Sequence, residues 1–85
     1  MQPKRKTLRV ENISDETSLK DLRNFFSKYG PVFDVQIRSA HPNRVRAWLV
    51  MSRDDAENAI LHMHGEDLLG RRLTVEDEDL YRDDE

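Results

Sequence analysis

The chain has 85 residues, no cysteine, 36% charged side chains and a formal net charge of −3. That length suits one small domain whose single core buries roughly 60–65% of the unfolded surface. The lack of cysteine excludes a disulfide framework and a thiolate zinc site and fits an intracellular protein, nuclear or cytoplasmic; no apolar run reaches the roughly 18 residues of a membrane span, and the opening does not read as a signal peptide.

In chain order, residues 1–6 read as a basic flexible arm. "TLRVENI" (7–13) alternates Leu8 and Val10 with Arg9 and Glu11, a strand pattern. "SDET" is a loop, and Ser18 with Asp21 resembles a capping box at a helix start. The helix carries Leu19, Leu22, Phe25, Phe26 and Tyr29 at spacings of 3 and 4. Gly30-Pro31 stops it with a left-handed cap. "VFDVQIRS" (32–39) is a second strand, with Val35 and Ile37 opposite Gln36 and Arg38; Phe33, at its start, has no clear assignment. "AHPN" is a turn.

Residues 44–51, "RVRAWLVM", form a third strand: Val45, Ala47, Leu49 and Met51 on one face, Arg44, Arg46, Trp48 and Val50 on the other. Ser52 is placed to cap a second helix, with Asp54 and Asp55 at its positive end and Ala56, Ala59, Ile60 and Met63 as its apolar stripe. Gly65 ends it. "RRLTVE" (71–76) is the fourth strand, with Leu73 and Val75 inward. Residues 77–85 are an acidic tail, expected to be solvated and disordered. The last ten residues hold seven acids and one arginine, leaving 13 basic and 10 acidic side chains in residues 1–75. With so little outside the domain, the chain reads as a fragment of a longer protein.

The order βαββαβ predicts an α+β, ferredoxin-like sandwich: a four-stranded antiparallel sheet with both helices on one face. The open face then displays Arg9, Glu11, Gln36, Arg38, Arg44, Arg46, Trp48, Val50, Arg72 and Thr74.

Residues 7–76 resemble the RNA recognition motif. "RVRAWLVM" aligns with the family's eight-residue pattern K/R-G-F/Y-G/A-F-V-x-F/Y, and "LRVENI" with its six-residue pattern, Asn12 falling on the usual asparagine. "LKDLRNFFSKYGPV" and "AENAILHMHGEDLLGRRLTV" look like the two helices and their exits. The resemblance implies a sheet face on which aromatic rings stack on splayed bases. Here the first-strand ring position is Arg9, and the two ring positions of the longer pattern are Arg46 and Trp48; the glycine is Val45.

Two ligand classes follow. Guanidinium groups stack on bases and pair with phosphate, so single-stranded RNA can be held weakly by Arg9, Gln36, Arg38, Arg44, Arg46, Trp48 and Arg72. Alternatively the same Arg/Trp face, or the helices, docks a protein and has abandoned RNA. Glu11 is a ready cross-strand partner for Arg9 and Arg46. The tail offers a further ligand, with Leu80 and Tyr81 folded back so that Tyr81 meets Trp48. His41, His62 and His64 do not make a metal site, since the last two point to different helix faces. No phosphate loop or nucleophile–base spacing is present. Acylphosphatases share this strand order, but "ISDETS" stands where their glycine-rich loop would be. The "GRRLTV" region also lacks the Arg-x-Phe of relatives that bind tryptophan-bearing peptides. The expectation is a monomeric, non-enzymatic binding module of a larger RNA-processing or RNA-regulatory protein, with no cofactor, membrane or small-molecule substrate.

Overall fold

The computed structural model describes residues 4–41 and 44–78, with residues 40, 41 and 44 described by backbone alone. Its elements are β1 (Arg5–Glu11), α1 (Leu19–Phe26), β2 (Val32–His41), β3 (Arg44–Ser52), α2 (Arg53–Met63), β4 (Asp67–Leu68), β5 (Arg71–Arg72) and β6 (Thr74–Asp77). The main sheet has the order β2-β3-β1-β6, every neighbouring pair antiparallel.

Period-two alternation sends one face of each strand inward. Leu8, Val10, Val35, Ala47, Leu49, Met51 and Val75 are buried, and Leu22 and Phe26 of α1 join Ala56, Ala59 and Met63 of α2 in the same cluster. Both helices therefore cover one sheet face and leave the other open. Leu19, expected in the stripe of α1, is instead 49% exposed at the first helical turn.

The helix ends follow local chemistry. The Ser18 hydroxyl accepts from the Asp21 N–H, and the Asp21 carboxylate accepts from the Ser18 N–H, both at 3.0 Å. These bonds satisfy two otherwise orphaned donors. Ser52 caps α2 by position, but its side chain makes no capping bond. The chain leaves α1 through a 3-10 turn, Ser27–Tyr29, into Gly30 at φ 147° and ψ 175°. That is the extended positive-φ region open essentially to glycine alone, not the expected left-handed cap. A Cβ at Gly30 would also collide with the Asp55 carboxylate of α2.

Strand boundaries differ from the sequence reading: β1 ends at Glu11, short of Ile13, and β2 runs on to His41, into the expected turn. β1 begins at Arg5, because the Arg5–Ser52 and Lys6–Met51 pairs extend its ladder with β3. Arg71 and Arg72 do not start the fourth strand; they pair with Leu68 and Asp67 in a separate hairpin. Leu69 (φ 52°) and Gly70 (φ 84°) form its tip. Two consecutive positive φ values are what a tight two-residue hairpin requires. Asn12 ties this hairpin to the end of β1, donating to the Arg72 carbonyl at 2.7 Å and accepting from Arg71 at 2.9 Å.

Candidate nucleic-acid interface

The register places the open-face residues in rows across the sheet. Gln36 lies opposite Trp48, Trp48 opposite Arg9, and Arg9 opposite Glu76, so one row crosses all four strands. On one side of it, Arg38 lies opposite Arg46. On the other, Asp34 and Thr7 flank Val50.

The two halves of this face differ. On the β2–β3 half, Trp48 is half-buried at the floor of a shallow groove of about 390 Å³, lined also by Thr7, Asp34, Gln36, Arg38, Val50 and Glu78. Arg38 and Arg46 are exposed, and among the described residues no carboxylate pairs with Arg38. Like charges directly opposite on a sheet repel, and an anion bound beside Arg38 would relieve that repulsion, Arg46 being shared with Glu11 on its other side. Phe33 is turned outward by a register shift between Val32 and Asp34, and the Arg5 guanidinium lies 4.1 Å above its ring.

On the β1–β6 half, Arg9 is only 18% exposed and is surrounded by acids. Its Nε lies 3.3 Å from Glu11 and 3.7 Å from Glu78, and its Nη2 lies 3.6 Å from Glu76. Glu11 also reaches Arg46 at 3.4 Å, the cross-strand pairing expected from the alternation. Beside this cluster Lys6 contacts Asp77 at 2.6 Å, both side chains about 15% exposed, which fixes the last strand against β1.

The sequence-derived candidates are thus dispersed. Arg9, Gln36, Arg38, Arg46 and Trp48 share the sheet. Arg72 does not: it lies on the small hairpin, because the turn at Leu69–Gly70 takes it out of the fourth strand. The Arg44 side chain, and Leu80 and Tyr81 with the proposed fold-back, lie outside the described residues. Glu76 and Glu78 escaped the sequence reading, which counted them among the acids at the chain's end; the signal was that period-two alternation from Thr74 puts Glu76 on the open face. His62 stacks on Tyr29 with parallel rings 5.8 Å apart, and the His64 Nδ1 lies 3.1 Å from the backbone N of Val75, so both rings have structural partners.

The model of the RNA recognition motif matches residues 8–74. The chain belongs to the RNA recognition motif family. Among curated proteins, the domain is 40% identical over 74 residues to human serine/arginine-rich splicing factor 8, covering 82% of this chain and 26% of that protein. It is 38% identical over 73 residues to human transformer-2 protein homolog beta, covering 81% and 25%. It is 36% identical over 75 residues to human scaffold attachment factor B2, covering 84% and 8%. The chain thus spans about a quarter or less of the length of these relatives. Among solved structures, the third such domain of Pes4 superposes with a TM-score of 0.80 at 24% identity, over 94% of this chain and 95% of that one. The third domain of Mip6 superposes with a TM-score of 0.75 at 20% identity, over 85% and 90%. These two establish the shared fold. Among the described residues, no helix is long and apolar enough to cross a membrane.

Proposed function

We propose that this domain is a non-enzymatic module that holds single-stranded RNA weakly, through the β2–β3 half of its open face, within a larger RNA-processing protein. One base stacks on Trp48, the Gln36 amide opposite it meets the base edge, and a phosphate lies between Arg38 and Arg46. The observation that carries the reading is the groove at Trp48, which joins the one aromatic ring position kept from the family pattern to the exposed Arg38, with Arg46 opposite it across the β2–β3 ladder. The splicing-factor relatives support it. Weak binding follows from the missing rings, since each stacked base is worth roughly 1–3 kcal/mol.

Trp48 is the only tryptophan in the chain, so its fluorescence reports on this site alone. Titration with short randomised single-stranded RNA at low salt is expected to quench it saturably, with an affinity that falls as salt rises. Unchanged emission at millimolar RNA would overturn the reading and leave a protein partner for the same face.

A further inference from the structure

The first-strand ring position is one of two at which arginine stands for a ring of the family pattern, and a substitution by arginine alone would give the RNA another cation. The surroundings of Arg9 argue otherwise. Three carboxylates, Glu11, Glu76 and Glu78, lie within 3.7 Å of its guanidinium nitrogens, and the side chain is 18% exposed. They come from two places in the chain: Glu11 from β1 itself, Glu76 and Glu78 from β6 and the residue just past it. Glu78 also lines the Trp48 groove. An RNA phosphate approaching Arg9 meets three anions around one cation, so the charge of the guanidinium is already offset and the phosphate is repelled.

We infer that Glu76 and Glu78 act as an intramolecular stand-in for phosphate: they hold Arg9, close the β1–β6 half of the face to RNA and lower further the affinity that the missing rings already limit. This rests on the RNA reading above. It assigns Arg9 to the acidic cluster rather than to RNA contact, and it makes two acidic side chains the determinants of how far the nucleic acid extends across the sheet.

The test is the double variant Glu76→Gln/Glu78→Gln in the full chain, assayed with short randomised single-stranded RNA over a range of salt concentrations. It leaves Glu11 in place to hold Arg46 and removes the charge opposite Arg9 Nη2. One added phosphate contact steepens the plot of log affinity against log salt by about 0.7 and raises affinity about fivefold at about 0.1 M salt. Any loss of negative charge raises affinity somewhat, so the reference is Glu16→Gln/Glu66→Gln, two exposed acids away from the face. The gain should exceed that of the reference pair and should shrink to it when Arg9→Gln is added. A gain no larger than the reference, with no change in salt slope, overturns this role of the two glutamates while leaving RNA binding intact. RNA binding by none of the variants overturns both. If Arg9→Gln fails to fold, the salt slopes of the two double variants decide alone.

Discussion

The two halves of the open sheet face use the same residue type for opposite ends. On the β1–β6 half, Arg9 sits among Glu11, Glu76 and Glu78 and is mostly buried. On the β2–β3 half, Arg38 and Arg46 face each other in solvent beside Trp48. An arginine on a sheet surface is therefore not a binding residue by virtue of its charge. What counts is whether the neighbouring strand brings carboxylates to it. β6 does so for Arg9, and β1 brings Glu11 alone to the exposed Arg46, whereas Arg38, on the edge strand β2, has only Arg46 opposite it.

The largest expected effect breaks both halves together. Phe26 is fully buried under the sheet, so Phe26→Ala should cost about 3–5 kcal/mol of stability and remove RNA binding with the fold, as denaturant unfolding will report. A change confined to the β1–β6 half comes next. Lys6→Met strips Asp77 of a close partner at 2.6 Å; the pair is largely but not wholly buried, so the loss should be about 1–3 kcal/mol, read by the same unfolding curve. Trp48→Ala acts on the other half and on another quantity: unfolding should change little, while RNA affinity falls by about 1–3 kcal/mol in calorimetry. The smallest effect is Arg38→Gln, expected to weaken binding about fivefold at about 0.1 M salt and to flatten the salt slope by about 0.7. An equal or larger loss of RNA affinity from Glu76→Gln than from Arg38→Gln would erase the distinction between the halves.

The strand and helix order was legible because alternation in "RVRAWLVM" and the 3-and-4 spacing of Leu22 and Phe26 reflect burial directly. The β4–β5 hairpin was not. Its tip places Leu69 at positive φ, where Asn or Asp is the usual signal, so "DLLGRR" carried only Gly70 as a cue. That single turn displaced Arg72 from the face. The site was half legible for a similar reason. Glu11 is two residues from Arg9 and visible by alternation, but Glu76 reaches Arg9 only because β6 pairs with β1, a long-range choice that composition does not reveal. Read along the chain, Glu76 and Glu78 look like the edge of an acidic run; read across the sheet, they are partners of a particular guanidinium.

The most direct measurement is an NMR titration with short randomised single-stranded RNA at low salt, following the Trp48 indole N–H and the side-chain Nε–H signals of Arg9, Arg38 and Arg46. The expected result is saturable movement of Trp48, Arg38 and Arg46, with Arg9 held nearly still by its carboxylates. Movement led by Arg9, with Trp48 unmoved, would contradict the division of the face.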